Sequence, residues 1–418
     1  MIQNNERETQ ELRKPMPASH RCSNGKNGGS PPAPPATASA RICFVAPAAW
    51  PFLSGANDIE VIGGAEVQQG ILARALAAAG HSVSMITLDY GQQDGVEVGG
   101  IRCYKTHTPE EGLPVLRYIT PRLTSFWRAL HRAGADVYYT RSASHITAFV
   151  AEYCRQNGRK SIYAGASDAD FIPGQEPIRF GRDRWLFRRG LARTNAVIVQ
   201  NGHQYATCKT NHGLTPLLIP SCYAPQANTS ADRAGHVLWV GSIVERKRPE
   251  LCLRLAREMP HLKFVMIGGA SPDADSRSFY RKIATAARSL PNLEFLGFLP
   301  YRQTERYFDR SRVFLNTSRI EGFPNTFLQA WARGLPTVSF VDTGSREGGH
   351  PVCNTVQTTA EARAEIHHLM TDDVRWKHAS DICRSHFSAH HSLEAVTGMY
   401  MRVIAGLAGT MRQRAGSG

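Results

Sequence analysis

One acidic side chain stands directly before a turn and a short apolar helix in the stretch SRIEGFPNTFLQAWARGLP, residues 318–336. That side chain is Glu321, and the turn after it consists of Gly322, Phe323, Pro324 and Asn325. The amide of Gln329 follows inside the predicted helix. A carboxylate at the mouth of a helix and an amide further along it are groups that bind polar ligands through hydrogen bonds.

The start of this helix has the features of an anion-binding site. We predict Asn325 as the N-cap, while a glycine and a proline end the helix. The free N–H groups at Asn325 and Thr326, with the positive end of the helix dipole behind them, would bind an anion such as a diphosphate. Gly322 lets the backbone approach that ligand. Because like charges repel, Glu321 is expected to bind a hydroxyl-bearing group beside the phosphate rather than the phosphate itself.

A basic loop upstream would neutralise the same diphosphate. In VGSIVERKRPE, Gly241 stands at the end of a predicted strand, and Arg246, Lys247 and Arg248 follow it. Basic side chains at the carboxyl end of a strand are well placed to bind phosphate. A charged loop taken alone is more often solvated than functional. Both loops together in one domain favour a phosphate-linked, hydroxyl-rich ligand, which is the chemistry of a nucleotide sugar.

Composition narrows the class of protein without choosing the ligand. The chain has 418 residues, 42% of them hydrophobic and 20% charged, as in ordinary globular proteins. Its formal charge of +14 is compatible with nucleic acid, anionic lipid or phosphorylated small molecules, but no motif supports nucleic-acid binding. No apolar run approaches the ~18 residues that span a bilayer, and the first residues do not form a secretory signal. Nine cysteines without a C-x-x-C pair indicate reduced thiols in a cytoplasmic chain.

Short apolar runs alternate with helical stretches, which predicts βαβ units and parallel, doubly wound sheets. A run of turn formers interrupts the alternation once, so we predict two α/β domains with a ligand cleft between the carboxyl ends of their sheets. The predicted strands are 41–47, 83–88, 100–105, 136–140, 161–165, 196–200, 216–219, 236–241, 263–269, 293–297, 313–318 and 337–342. The predicted organisation is a disordered tail at 1–40, a first domain at 41–220, a linker at 221–235 and a second domain at 236–390.

Two long segments carry a resemblance to a known family. VLWVGSIVERKRPELCLRLAREMPHLKFVMIGG and NLEFLGFLPYRQTERYFDRSRVFLNTSRIEGFPNTFLQAWARGLPTVSF resemble the donor domain of retaining glycosyltransferases of family 4, which have the GT-B fold. The resemblance covers about residues 41–405 and is most specific at 236–340. It implies two Rossmann-like domains, an acceptor-side domain followed by a nucleotide-sugar-binding domain, with a C-terminal helix at 391–418 that crosses back. It also implies catalysis that needs neither a metal nor another cofactor.

The resemblance assigns roles to the second-domain residues. The family's E-x7-E motif begins at Glu321, which would bind hydroxyls of the transferred sugar. Its second position, which usually contacts the ribose, is Gln329 here, so we expect an altered donor contact rather than its loss. Lys247 matches the lysine that binds the diphosphate.

Two further donor contacts follow from the same resemblance. The arginine that often follows the strand-end glycine is replaced by Ser242, and Arg246 is expected to supply its charge. Phe298 and Leu299 match the loop whose backbone meets the nucleobase.

The first domain offers two candidate loops. IGGAEVQQGILARALAAAGHSVSMIT resembles the family's first helix, entered through Gly63 and Gly64, where small residues would let the donor phosphate or the acceptor approach the backbone. A histidine that many members carry in a later loop is replaced here by Ser167, Asp168 and Asp170. Their D-x-D spacing also occurs in metal-dependent glycosyltransferases of another fold, which the surrounding sequence does not match. An acceptor-orienting role for Asp168 and simple capping of the loop are both favoured over metal binding.

The stretch IRFGRDRWLFRRGLARTNA, residues 178–196, interleaves arginines with aromatic residues. Such a pattern could rest on an anionic membrane surface. It is equally typical of an ordinary amphipathic helix that buries its apolar side, and that interpretation is slightly favoured.

We predict a glycosyltransferase that moves a sugar, with retention, from a nucleoside-diphosphate sugar to a hydroxyl of a saccharide or lipid-linked saccharide, in cell-surface or exopolysaccharide assembly. We expect it in the cytoplasm, including at the inner face of the membrane. Two alternatives stay open. One is a GT-B relative that acts on a nucleotide sugar without a saccharide acceptor, such as an epimerase. The other is a non-catalytic subunit that binds sugar nucleotides, which Gln329 and the missing histidine would favour.

Overall fold

A computed structural model describes residues 39–55, 63–108, 122–225, 235–271, 274–321 and 323–415. The predicted disordered tail lies outside these residues except for its last two positions. Most of the predicted linker, residues 226–234, and the predicted site residue Gly322 also lie outside them.

The first lobe is built on an eight-stranded sheet in the order β3-β4-β2-β1-β5-β6-β7-β8. Its strands are β1 Arg41–Val45, β2 Ser82–Thr87, β3 Val96–Val98, β4 Ile101–Lys105, β5 Val137–Arg141, β6 Lys160–Ala164, β7 Ala196–Val199 and β8 Leu217–Leu218. All neighbours run parallel except β3, which pairs antiparallel with β4 at the edge. Central strands such as β1 read as continuous apolar runs because helices cover both faces of a parallel sheet.

Six helices of the first lobe are described. They are α1 Trp50–Ser54, α2 Gly64–Ala78, α3 Thr124–Ala133, α4 Ile146–Gln156, α5 Gly181–Leu191 and α6 Gly202–His212. Helix α2 follows β1 and buries Leu72, Ala73 and Leu76 against the sheet. This packing fixes the direction in which the N-terminus of α2 points, which is toward the second lobe.

The second lobe is built on a six-stranded parallel sheet in the order β11-β10-β9-β12-β13-β16. Its strands, with those of a small separate hairpin, are β9 His236–Val240, β10 Phe264–Ile267, β11 Leu293–Gly297, β12 Ser311–Asn316, β13 Thr337–Ser339, β14 Arg346–Glu347, β15 His350–Pro351 and β16 Cys353–Thr355. Its helices are α7 Pro249–Glu258, α8 Ala274–Arg288, α9 Tyr301–Arg310, α10 Asn325–Trp331, α11 Thr359–Thr371, α12 Asp373–His390 and α13 Leu393–Ala415.

Helix α13 belongs to the second lobe by sequence but to the first by packing. Val396, Tyr400 and Ile404 are buried in the same apolar core as β1 and α2. The Tyr400 hydroxyl lies 3.4 Å from the hydroxyl of Tyr139 on β5. The chain therefore passes between the lobes twice, once after β8 and once between α12 and α13.

The prediction of parallel, doubly wound sheets in two lobes is confirmed. The predicted strands agree with the observed ones within a few residues, because buried parallel strands are apolar throughout. Sequence analysis missed β3 and the β14–β15 hairpin, whose short strands carry no readable alternation. No helix in the described part of the chain is long and apolar enough to cross a bilayer. The eight cysteines described are all buried, and none of them forms a disulfide.

Candidate active site

The loops after β9 and β12 meet because these two strands are neighbours in the sheet. The Thr317 hydroxyl accepts a hydrogen bond from the Trp239 indole at 2.8 Å and donates to the Lys247 carbonyl at 2.7 Å. The Arg319 N–H donates to the Arg246 carbonyl at 2.9 Å. Two loops that are some seventy residues apart along the chain therefore form one rigid unit.

Lys247 and Glu321 form an ion pair at this junction, which we call the cleft pair. The Ser318 hydroxyl also donates to Glu321, and both donors use the same carboxylate oxygen, Oε1. The side chains of Lys247 and Glu321 are 18% and 8% exposed. The sequence assigned these residues to different parts of a ligand, and the structure brings them into direct contact. Among the described residues no donor reaches Oε2, which leaves that oxygen available to a ligand hydroxyl.

Arg248 holds the two loops together from behind. Its Nε donates to the Thr317 carbonyl at 2.7 Å and its Nη2 to the Ser318 carbonyl at 3.2 Å. Its backbone lies in the left-handed region, with φ of 46°, immediately before Pro249 opens α7. Sequence analysis counted Arg248 only as a basic neighbour, and the unusual backbone could not be read from its identity.

The other residues of this loop lie where the sequence predicted them. Gly241 follows β9, and its N–H donates to the Ile267 carbonyl at 3.1 Å. A Cβ added to Gly268 would lie 2.0 Å from the Gly241 oxygen, so the two backbones approach closely here. Ser242 and Arg246 are exposed at the mouth of the cleft.

The prediction of Asn325 as an N-cap is wrong. Helix α10 begins at Asn325 itself, with Pro324 in the capping position and no side chain bonded there. The Asn325 amide instead donates to the Gly64 carbonyl at 3.0 Å and accepts from Gln68 at 2.9 Å. Partners in the other lobe have displaced the local cap, and Thr326 remains in the first turn of the helix.

Gly64 and Gln68 form the facing side of this contact. A Cβ at Gly64 would lie 2.8 Å from the Asn325 amide nitrogen, so only glycine allows this approach without a shift. Gly63 precedes the helix as its N-cap residue. The buried Gln68 amide also exchanges two hydrogen bonds with the backbone of Cys222, where the chain leaves the first lobe. Sequence analysis missed Gln68, although two glutamines inside an apolar helix were a signal of buried polar contacts.

Gln329 lies in a second group of polar side chains, buried behind the helix mouth. It donates to Glu305 Oε1 at 3.0 Å. Arg333 pairs with both Glu305 and Asp309, and the Tyr223 hydroxyl donates to Glu305 Oε2. We call Tyr223, Glu305, Asp309, Gln329 and Arg333 the buried cluster. The ribose contact of Gln329 stays a prediction, and the structure gives its amide a protein partner.

A cavity of about 450 Å³ lies between the lobes beside the buried cluster. Phe52 and Ile71 line it from the first lobe, and Phe298, Tyr301 and Glu305 line it from the second. The buried Tyr301 hydroxyl has no hydrogen-bond partner among the described residues. Leu299 packs against the apolar core of the second lobe. The predicted nucleobase loop therefore has a space beside it that is mostly apolar and contains unsatisfied polar groups.

The loop of the first lobe that carries Ser167, Asp168 and Asp170 is held by its own side chains. Asp170 is fully buried and accepts from the Tyr163 hydroxyl at 2.9 Å and the Ala166 N–H at 2.8 Å. It forms a capping box with Ser167. Burial raises the pKa of the Asp170 carboxyl.

Asp168 faces different partners, since it accepts from Asn201 at 3.2 Å and from Gln204 at 3.0 Å. Neither carboxylate belongs to a group of three metal-ligand side chains within the described ranges. Of the interpretations kept open, Asp170 has the geometry of loop capping, and the acceptor contact of Asp168 stays a prediction.

The arginine-rich stretch forms α5 and exposes two large aromatic side chains. Phe180 and Trp185 are 52% and 58% exposed. The guanidinium groups of Arg179 and Arg189 lie 5.4 and 5.5 Å from the centres of these rings. The apolar side of the helix is nevertheless in the core, through Phe187 and Leu191. The helix is thus amphipathic as expected, and its outer face is both basic and aromatic.

Both lobes match known protein families. Residues 63–216 match the glycosyl transferase 4-like domain, and residues 224–348 match the glycosyl transferases group 1. One relative belongs to human phosphatidylinositol N-acetylglucosaminyltransferase, of which it is one component chain. The two sequences are 24% identical over 319 residues, which cover 69% of this chain. The chain spans only 60% of the length of that relative.

Solved structures share the fold. Sucrose-phosphate synthase from Thermosynechococcus elongatus superposes with a TM-score of 0.69 at 19% identity, covering 88% of this chain and 99% of that one. Anabaena Alr3699/HepE, solved in complex with UDP and glucose, superposes with a TM-score of 0.67 at 13% identity and the same coverage of 88% and 99%. The two family matches, one in each lobe of a GT-B fold, show that the chain belongs to the group 1 glycosyl transferases and is a nucleotide-sugar glycosyltransferase.

Proposed function

We propose that the protein transfers a sugar, with retention at the anomeric carbon, from a nucleoside-diphosphate sugar to a hydroxyl of a saccharide or lipid-linked saccharide. The observation that carries this proposal is the cleft pair. A lysine and a glutamate share one contact at the junction of two loops, next to the mouth of α10, and one glutamate oxygen stays available.

The diphosphate would lie against Lys247, Arg246 and the first turn of α10. Negative charge grows on the diphosphate as the sugar leaves, and fixed cations and N–H groups stabilise that charge without reorganising. In this arrangement Lys247 turns part of its charge toward the phosphate, and Glu321 Oε2 accepts from the sugar hydroxyls. Since the cations and N–H groups balance the phosphate charge, we propose that the reaction needs no metal.

The nucleoside half would occupy the cavity between the lobes. A nucleobase is flat and apolar on its faces, which suits Phe298 and the apolar wall of the first lobe. The unsatisfied Tyr301 hydroxyl would bond to an edge of the base. Glu305, held in place by Gln329 and Arg333, forms the polar side of the cavity where ribose hydroxyls would lie.

Retention is proposed to follow a front-face path. A double displacement requires a carboxylate that attacks the sugar carbon. Glu321 is unsuited to this role, because two donors engage its Oε1 and lower its nucleophilicity. The acceptor hydroxyl would instead attack from the side of the leaving diphosphate, whose oxygen takes the acceptor's proton.

The acceptor side includes a membrane surface in our proposal. The exposed face of α5, with Arg179, Phe180, Trp185 and Arg189, has the composition that binds anionic lipid headgroups. The human relative is named for a phosphatidylinositol acceptor. We propose that the protein works at the inner, cytoplasmic face of a membrane on a lipid-linked acceptor.

Vesicle flotation tests the membrane contact. Trp185→Ser combined with Arg189→Ala should reduce association with anionic vesicles, and Arg155→Ala on α4 is a matched surface control. Equal association of all three proteins would contradict the proposal for α5, without bearing on the transfer reaction.

Donor turnover tests the transfer reaction. Thermal melts against a panel of nucleoside diphosphates would identify the base, and transfer to saccharide and lipid-linked acceptors would then be measured. Glu321→Gln should lower the turnover number more than tenfold, or by over about 1.4 kcal/mol in the barrier, while leaving nucleoside-diphosphate affinity nearly unchanged. An affinity loss as large as the rate loss would contradict this division of roles. A changed nucleotide sugar without any transfer product would favour the epimerase alternative.

A further inference from the structure

Three side chains with metal-ligand chemistry converge on the far side of the second lobe. Glu347 lies on β14, and His386 and His390 lie on α12. His386 Nδ1 is 3.4 Å and His390 Nε2 is 3.9 Å from Glu347 Oε2. The three ligand atoms all lie within 4.8 Å of one another. These residues are separate from the cleft pair, the buried cluster and the cavity between the lobes.

The two histidines are spaced so that one helix presents both rings to the same point. Residues four apart lie on one face of an α-helix. The rings of His386 and His390 are 4.7 Å apart between their centres. Glu347 approaches from a different element, so the group joins two parts of the fold that the local sequence does not connect.

His386 carries a buried nitrogen without a partner. The residue is only 7% exposed, and its Nδ1 has no hydrogen-bond partner among the residues that the structure describes. Buried polar atoms in native proteins are almost always satisfied by protein, water or an ion. This nitrogen faces the carboxylate at a distance that is too long for a good hydrogen bond and suits two ligands of one ion.

We propose that Glu347, His386 and His390 bind a divalent transition metal, with Zn²⁺ as the favoured ion. Imidazole nitrogen and carboxylate oxygen bind Zn²⁺ at about 2.0–2.2 Å, so neighbouring ligands of a tetrahedral ion are separated by about 3.3–3.5 Å. The observed separations of 3.4 and 3.9 Å are near these values. His390 is 51% exposed and free to rotate toward the ion, and water would fill the fourth position.

The surroundings orient the ligands as they do in metal sites. The Ser385 hydroxyl donates to Glu347 Oε1 at 2.7 Å, which turns Oε2 toward the two histidines. Hydrogen bonds from outer groups to a ligating carboxylate are a regular feature of metal centres.

The metal would fasten the β14–β15 hairpin to α12. This hairpin has only two residues in each strand, joined by Gly348 and Gly349 with φ of 55° and 84°. An isolated two-stranded hairpin is marginal in water, so its position must come from outside contacts. The role is structural and is independent of the proposed transfer reaction.

Zinc binding to the full chain, stripped with a chelator, tests the proposal. Calorimetric titration should show one equivalent of Zn²⁺, and thermal unfolding should shift upward with Zn²⁺. His390→Ala should lower the affinity more than tenfold and remove the thermal shift, and Glu347→Gln should do the same. His378→Ala is the matched control on the same helix and should behave like the wild type. His390 is half exposed, so its replacement leaves the fold intact.

Cobalt substitution identifies the ligand types. Co²⁺ at this site should give a tetrahedral spectrum without a thiolate charge-transfer band. Three results would overturn the proposal: no Zn²⁺ binding by the wild type at micromolar concentrations, wild-type affinity in both His390→Ala and Glu347→Gln, or a thiolate band that assigns the metal to cysteines.

Discussion

The cleft pair and the buried cluster both hold a glutamate against a basic side chain, yet they differ in how far the protein satisfies that glutamate. Glu321 receives two donors on one oxygen. Glu305 receives three donors spread over both oxygens, from Gln329, Tyr223 and Arg333. A carboxylate with spare capacity at a cleft can serve a ligand, whereas one that the protein fully engages serves the fold. We therefore expect substitutions in the cleft pair to change binding and rate, and substitutions in the buried cluster to change stability.

The largest expected effect is on the stability of the buried cluster. Arg333→Leu leaves Glu305 and Asp309 as uncompensated buried charges, and breaking a buried pair in this way costs about 3–5 kcal/mol. Chemical denaturation would measure the free energy of unfolding. Arg346→Ala, which breaks an exposed pair with Asp342, is the control and should cost less than about 1 kcal/mol. A loss at Arg333 no larger than that of the control would end the distinction between the two regions.

Lys247→Ala should have its effect on binding instead. We expect nucleoside-diphosphate affinity to fall by about 1.5–3 kcal/mol, the range for a hydrogen bond to a charged group. Affinity for the free nucleoside should stay the same, because the cation acts on the phosphates. Titrations of both ligands at fixed salt make the comparison, with Arg189→Ala as a basic-residue control. Equal weakening of both ligands would mean that Lys247 supports the loop rather than the diphosphate.

Gln329→Glu tests whether the second position of the motif belongs to the fold. From the sequence alone, a carboxylate here would preserve or improve donor binding. In the structure it would remove the donor to Glu305 and place two carboxylates together in a buried site. We expect the free energy of unfolding to fall by about 1–3 kcal/mol at pH 7, the cost of an unsatisfied buried group. The loss should shrink at lower pH, since crowding raises a carboxyl pKa and a shared proton then removes the repulsion. Unchanged stability with tighter donor binding would restore the first interpretation.

The smallest effect is expected for Ser318→Ala. This change removes one of the two donors to Glu321 without removing a charge. A neutral hydrogen bond of this kind contributes about 0.5–1.5 kcal/mol. Steady-state kinetics should show a modest fall in turnover number with little change in the KM for the donor. A loss of stability larger than the loss of rate would place Ser318 with the groups that hold the fold.

Most of the fold and part of the site could be predicted from the sequence. The βαβ alternation, the break between the lobes and the positions of Glu321 and Lys247 at strand ends were all readable. The N-cap at Asn325 was predicted wrongly, since its side chain bonds to Gly64 and Gln68 in the other lobe. The same limit applies to Gln329, whose neighbour Glu305 lies on a different helix.

The sequence by itself determined the elements of this protein, because apolar runs, turn residues and strand-end charges act over a few neighbouring positions. Tertiary structure decided which of those elements meet. The order of the second sheet places β9 beside β12, and only that adjacency brings Lys247 to Glu321. In the same way the packing of the β14–β15 hairpin on α12 brings Glu347 to two histidines. Contacts between residues far apart along the chain depend on how sheets and helices pack, and no local pattern records that packing.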